Sequence, residues 1–123
     1  VRVLNQISGD GGVASLSGNA FTLAPGKYLV EGIAPTYLAN MHQAKLVNVT
    51  SGSDAIIGSS ERNHATNSST TSSIIQGMLT VAASTTYQVQ HRCFVSRELI
   101  GFGVAAGFGT PEVYTQVKIT KMD

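Results

Sequence analysis

The sequence is short of charge. Only 12% of its 123 residues are Asp, Glu, Lys or Arg, about half the usual share of about 25%, and they balance to a net charge of +1. Such a chain has no electrostatic means of drawing nucleic acid or an anionic membrane surface to itself. Cysteine is reduced to Cys93, which excludes an internal disulfide framework. No apolar run reaches the roughly 18 residues of a membrane-spanning helix, and no basic-then-apolar signal segment opens the chain, so membrane insertion is not expected. Helical periodicity is missing throughout. The seven carboxylates show no pairing suited to acid–base chemistry, and no serine sits in a Gly-x-Ser-x-Gly elbow. Neither an enzyme nor a cofactor is therefore expected.

What is present is a 42% hydrophobic content, ordinary for one globular domain, and a polar remainder rich in Ser, Thr, Asn, Gln and Gly. The hydrophobic residues alternate in short runs. Segments 1–7, 20–23, 27–34, 42–50, 55–59, 74–82, 85–94, 101–109 and 112–122 read as strands, separated by turn signals such as Pro25-Gly26 and Ser51-Gly52. Within them, Tyr28 and Val30 face away from Leu29 and Ile33, and Tyr87, Val89, His91 and Cys93 share one face. In the last strand Val113, Thr115, Val117 and Ile119 face inward, and Tyr114, Gln116, Lys118 and Thr120 face outward. Segments 42–50 and 55–59 suggest a hairpin, as do 74–82 and 85–94 across Ala83-Ser84. Residues 60–73, polar and without periodicity, read as the longest loop. About eight antiparallel strands with no helix predict an all-β jelly-roll sandwich. Residues 1–19 form an N-terminal lead-in segment and residues 20–123 the domain; beginning at Val1, the chain reads as a piece of a longer protein.

The run Gly-Phe-Gly-Val-Ala-Ala-Gly-Phe-Gly at 101–109 is distinctive. As a strand it puts Phe102, Val104 and Phe108 on one face and leaves the other nearly bare, which marks a close approach by another backbone or a ligand. Gly101-x-Gly103-x-x-Ala106 matches a dinucleotide fingerprint in letters only, because no helix follows to hold a pyrophosphate. Gly101, Gly103, Gly107 and Gly109 are instead expected to serve packing, within the subunit or between subunits.

His42, His64 and His91 lie too far apart for a local metal motif, and no metal site is expected; His42 and His91 are the ones that could contribute, and a trimer axis could gather one histidine per subunit. The plainer expectation makes His91 a half-buried strand residue and the other two exposed. Cys93, two residues from His91, reads as a small buried hydrophobe rather than a nucleophile. Asn48-Val49-Thr50 and Asn67-Ser68-Ser69 match glycosylation acceptors and serve here as surface markers. Polar loops carrying scattered aromatic and basic residues on a rigid β frame suit recognition of sugars or protein surfaces, and Tyr37, Asn40, Arg62, Asn63, His64 and Arg97 are the candidate contact residues.

Several segments together resemble a known family: Pro25-Gly-Lys-Tyr28, Ala34-Pro35 with Tyr37, His42-Gln-Ala-Lys-Leu-Val-Asn-Val-Thr50, Gly58-Ser-Ser-Glu61, Gln90-His-Arg-Cys93, Gly101-Phe-Gly-Val104 and Glu112-Val-Tyr-Thr-Gln-Val-Lys-Ile119. In register over roughly residues 20–122, the chain looks like the C-terminal domain of bacteriophage tail-fibre and tail-spike virion proteins, similar in outline to the trimeric jelly rolls of complement C1q and tumour necrosis factor. The resemblance implies a homotrimer at an extracellular fibre tip on the virion, binding a bacterial cell-surface glycan or protein. It carries over no catalytic set. The alternative is a structural trimerisation and capping domain without receptor contact.

Overall fold

The computed structural model describes residues 1–9, 11–95 and 101–122. Its strands are β1 (Ala14–Ser17), β2 (Ala20–Leu23), β3 (Gly26–Tyr37), β4 (Met41–Asn48), β5 (Ser53–Arg62), β6 (Thr70–Val81), β7 (Thr85–Cys93) and β8 (Gln116–Met122). They form two antiparallel sheets, one ordered β1-β2-β7-β4-β5 and the other β6-β3-β8. Among the described residues there is no helix. The chain is thus an all-β protein with its strands in two layers, as the alternation predicts.

The core lies between the layers. Tyr28, Val30, Ile75 and Leu79 from the smaller sheet meet Phe21, Leu23, Leu46, Tyr87 and Val89 from the larger. The Phe21 and Tyr87 rings stack with centroids 5.7 Å apart, and the Tyr28 hydroxyl donates to the Ala24 carbonyl at 2.7 Å, so its one polar atom is satisfied inside. Val117 and Ile119 of β8 pack inward, and Gln116, Lys118 and Thr120 face out, whereas Val113 precedes the strand and is 64% exposed rather than inward. The opposite face of the smaller sheet is less covered than the alternation of β3 suggests, because Ile33, Ile74 and Met78 are exposed there.

Four expectations change. Residues 1–7 form no strand, although the Arg2 N–H donates to the Val89 carbonyl at 2.8 Å and holds this segment against β7. The lead-in segment instead supplies β1, which pairs with β2 across Gly18 (φ 59°) and Asn19 (φ 62°), two left-handed residues of the kind a two-residue hairpin turn demands. Segments 74–82 and 85–94 do not make a hairpin: β6 pairs with β3 in one sheet, and β7 pairs with β2 and β4 in the other. The link after Val81 has no residue of positive φ to fold one strand onto the next, and it crosses between layers. The polar loop shrinks to residues 63–69, since Ser60, Glu61 and Arg62 pair with β4 and Thr70, Thr71 and Ser72 pair with β3.

The glycine-rich run departs most. Residues 101–115 contain no strand, and Phe102, Val104 and Phe108 are 44%, 48% and 86% exposed. Gly103, Gly107 and Gly109 have φ of 140°, 75° and 83°, conformations that leave the strand region and that side-chain-bearing residues rarely adopt. The loop is closed instead by Glu112, whose carboxylate accepts the Ala106 and Gly107 N–H groups at 2.8 and 3.3 Å. A close approach does occur at Gly103, but to a side chain: a Cβ there would lie 2.5 Å from Tyr114 Cδ1. Gly107 and Gly109 face open space, and the buried Gly101 offers its carbonyl to the Tyr37 N–H at 2.9 Å.

The two sheets are joined at a bulge. The β4–β5 register shifts between Gln43 and Lys45, which sets Gly58 and Ser59 opposite Ala44. Ser73, fully buried on β6, meets the displaced groups: its Oγ accepts the Ala44 N–H at 3.0 Å and donates to the Ser59 carbonyl at 2.6 Å. Gly58 is required there, since a Cβ would lie 2.5 Å from the Ala44 carbonyl oxygen.

Candidate binding surface

Most of the candidate residues converge at one end of the fold. The β3–β4 turn holds Leu38 and Asn40 at φ of 53° and 61°, and it meets both neighbouring segments through backbone hydrogen bonds. Leu38 N–H donates to the Ser69 carbonyl at 3.2 Å, Asn63 N–H to that of Asn40 at 3.0 Å, and Val95 N–H to that of Ala39 at 3.0 Å. Tyr37, Asn40, Arg62 and His64 are thereby set on one frame. Arg97 lies outside the described residues.

Asn63 is placed differently from expectation. It is 6% exposed, and its amide is consumed inside the fold. Oδ1 accepts the Ala39 and Asn40 N–H groups at 2.7 and 2.9 Å, while Nδ2 donates to the Thr36 carbonyl and hydroxyl, both at 3.0 Å. A side chain so occupied has no group left for a ligand, so Asn63 fastens the loops that carry the exposed candidates. One of those is Arg62, which is exposed and reaches Asn40 Oδ1 through Nε at 3.2 Å. His64 organises its own loop: Nδ1 receives the Thr66 and Asn67 N–H groups, each at 3.1 Å. An Nδ1 that accepts puts the neutral ring's proton on Nε2. Tyr37 reaches Ser68 Oγ at 3.3 Å through its hydroxyl.

From Arg62 the surface continues onto the outer face of the five-stranded sheet as an open trough of about 1110 Å³. Register builds it in rows. Arg62 sits beside Met41, then Arg92, Gln43 and Ser60 align, then Gln90, Lys45 and Ile57. Phe94, 70% exposed, closes the end next to Met41, to whose carbonyl its N–H donates at 2.8 Å. Lys45 is committed to Asp54 at 2.8 Å, whereas Arg62 and Arg92 make no ion pair among the described residues. Gln43 Nε2 is spent on the Gly58 carbonyl at 2.9 Å, as Arg62 Nε is on Asn40. The remaining guanidinium nitrogens of Arg62 and Arg92, the Gln90 amide and the exposed Phe94 ring can together hold hydroxyl-rich or anionic groups. Sequence reasoning missed Arg92, Gln43 and Phe94. Alternation puts Gln88, Gln90 and Arg92 on the face opposite Tyr87, Val89, His91 and Cys93, but it does not say which strand lies alongside them.

Behind this surface, the histidines at residues 42 and 91 meet. His42 is 4% exposed rather than a surface residue, and its Nδ1 lies 2.9 Å from His91 Nε2, while its Nε2 lies 2.7 Å from Thr71 Oγ1. Burial pushes the His91 pKa down to about 3, with Arg2 and His42 adding to the effect; burial also lowers that of His42, against an opposing pull from Glu61. Among the described residues no three His, Cys, Asp or Glu side chains are grouped to hold a metal, and the facing histidine nitrogens are turned on one another. Burial raises the Cys93 thiol pKa, and the ring beside it is already engaged with His42, so this pair is not arranged as an activated nucleophile.

No protein-family profile, curated protein or solved structure matches the chain.

Proposed function

We propose that this chain is a non-enzymatic receptor-binding tip domain of a phage tail-fibre or related virion protein, a homotrimeric jelly roll of C1q/TNF-like outline that attaches to a bacterial cell-surface glycan or protein. The observation that carries this reading is the buried Asn63, which fastens the β3–β4 turn to the 63–69 segment beside Tyr37, Asn40, Arg62 and His64, with Arg62 lining the trough. Rigid loops lose little entropy on binding, and three copies on one fibre would turn modest single-site affinity into firm attachment. The low charge and neutral polar cover are consistent with an extracellular surface protein.

A fluorescently labelled domain applied to host bacteria tests the proposal. The wild type labels cells and competes with phage adsorption, and Arg62→Ala, His64→Ala and Arg97→Ala each weaken binding about tenfold while the circular dichroism spectrum is kept. Unchanged binding by all three variants would remove the loop assignment. A glycan array then separates sugar from protein receptors, and light scattering reports the trimer.

The uncovered apolar face of the smaller sheet, with Ile33, Ile74 and Met78 exposed, favours a second reading in which the domain trimerises and caps a fibre without touching a receptor. In that case the isolated domain is trimeric but labels no cells.

A further inference from the structure

The positive charge of this chain is unevenly placed. Over the whole sequence it nets to +1, yet the outward positions along the trough carry Lys45, Arg62 and Arg92 against one carboxylate, Asp54. Asp54 is spent on Lys45 at 2.8 Å, so two guanidinium groups are left without a counter-charge among the described residues. Glu61 also borders the trough, but it pairs in register with the buried His42 and belongs to the inward side of β5. Arg62 and Arg92 are both exposed.

Register fixes how far apart the two arginines stand. Arg62 on β5 lies opposite Met41, Arg92 on β7 lies opposite Gln43, and β4 runs between them. Two strand spacings of about 4.8 Å across and a two-residue step of about 6.8 Å along put their Cα atoms about 12 Å apart. The hydrogen bond from Arg62 Nε holds that side chain toward Asn40, on the far side of Met41 from Gln43, which keeps the two heads apart. They therefore suit two anionic groups on one extended molecule. The trough's volume of about 1110 Å³ fits such a molecule, since it stands at the upper end of the range for concave ligand sites.

Two other occupants fit less well. Laying this face against the same face of a second copy would oppose unpaired guanidinium groups with no free outward carboxylate to answer them. A protein interface is built on a continuous apolar centre, whereas here Met41 and Phe94 at one end are separated from Ile57 by the wholly polar row of Ser60, Gln43 and Arg92.

Resting on the receptor-binding reading above, we infer that the trough takes an acidic glycan: an extended chain of sugars whose anionic groups, carboxylate or phosphate, meet Arg62 and Arg92. A guanidinium receives either anion through paired N–H donors. Gln90 and Phe94 stand two residues to either side of Arg92, so a sugar hydroxyl meets the Gln90 amide and a sugar ring lies beside Phe94, which is 70% exposed.

The whole chain, applied to a glycan array, tests this. The array carries uronic-acid polysaccharides, each beside its carboxyl-reduced neutral form, together with phosphodiester-linked and neutral glycans. Acidic glycans are expected to bind, with a loss of about tenfold or more on carboxyl reduction and weakening as salt is raised. Binding confined to phosphodiester-linked chains supports the inference and identifies the anion as phosphate. Arg92→Gln and Phe94→Ala, both at exposed positions, should each lose about tenfold, whereas Lys118→Gln, an exposed cation on the smaller sheet, should lose nothing. Neutral or carboxyl-reduced glycans retained as strongly as acidic ones, or no acidic glycan retained, overturns the inference. So does cell labelling that survives removal of surface polysaccharide but not protease treatment. Acidic-glycan binding by a chain that labels no bacteria keeps the inference and removes the receptor-tip reading; labelled cells without an acidic preference do the reverse.

Discussion

Replacing Ser73 by Ala removes one oxygen that serves two backbone groups at the sheet junction. The bulge in β5 has pulled its ladder away from Ala44, so the Ala44 N–H depends on Ser73 Oγ at 3.0 Å, and the Ser59 carbonyl receives the same hydroxyl at 2.6 Å. Ser73 is fully buried, and no water can step in without opening the junction. An unsatisfied buried donor costs about 1–3 kcal/mol, and a carbonyl that keeps a second lone pair costs less, so the pair should cost about 2–4 kcal/mol. Against a total stability of about 5–15 kcal/mol for a domain of this class, that is a large fraction. Urea unfolding followed by circular dichroism reads the difference, with Ser59→Ala as the control. Ser59 Oγ accepts the Ile74 N–H at 2.8 Å at an exposed position, where water replaces it, so less than about 1 kcal/mol should be lost. A Ser73→Ala loss no larger than that of Ser59→Ala would refute the claim that this hydroxyl carries the bulge.

The histidine pair should make the fold acid-sensitive. Both pKa values are depressed below 6.5, so the unfolded chain binds more protons below that pH; stability is complete above about 6.5 and falls as pH drops toward about 3 for His91, with a slope of at most about 1.4 kcal/mol per pH unit for each group. Partial solvation and the shared proton reduce that slope, and equal urea midpoints at pH 7 and pH 5 would show that the pair is not desolvated. Asn63→Ala removes four hydrogen bonds at the loop cluster and is expected to cost about 2–4 kcal/mol, with faster amide exchange at Ala39 and Asn40; unchanged protection there would contradict its fastening role. Gly103→Ala should be much worse than Gly107→Ala. Both strain a positive φ, but only the first drives a Cβ into the Tyr114 ring, so equal melting temperatures would mean that the 103–114 contact is not formed in solution.

Where a strand's neighbours did not matter, the sequence was a good guide. The inward faces of β3, β7 and β8 follow from alternation alone, because burial of one face fixes the period. The misread hairpin shows the boundary of that logic. Residues 74–82 and 85–94 each alternate as strands, yet pairing between them needs a turn whose residues tolerate positive φ, and Ala83-Ser84 supplies none. The Gly18-Asn19 pair, passed over inside the lead-in segment, has that chemistry and makes the hairpin. The glycine-rich run errs for the same reason in reverse: its bulky residues alternate, but the glycines between them are free to take left-handed conformations, and the pattern cannot hold a ladder that nothing pairs with.

The site was legible in composition and illegible in role. Loops carrying Asn, Arg and His were named as candidate contact segments, but a polar residue in a loop has two fates, and only the register tells them apart. Asn63 follows immediately after Arg62, the last residue of β5 to pair with β4; one step further along the chain, its side chain turns under the β3–β4 turn and its polarity is spent on Ala39, Asn40 and Thr36. Arg62, one residue earlier, points the other way and stays available. The same step explains the histidines. His42 pairs with Cys93 across β4 and β7, so His42 and His91, 49 positions apart, share an inner face, and neither spacing nor charge in the linear chain announces it. Strand register is therefore what divides this chain's polar residues into those that hold the loops and those left exposed on the surface, and substitutions that shift the β4–β5 bulge should disturb the proposed binding even though Gly58 and Ser73 are buried.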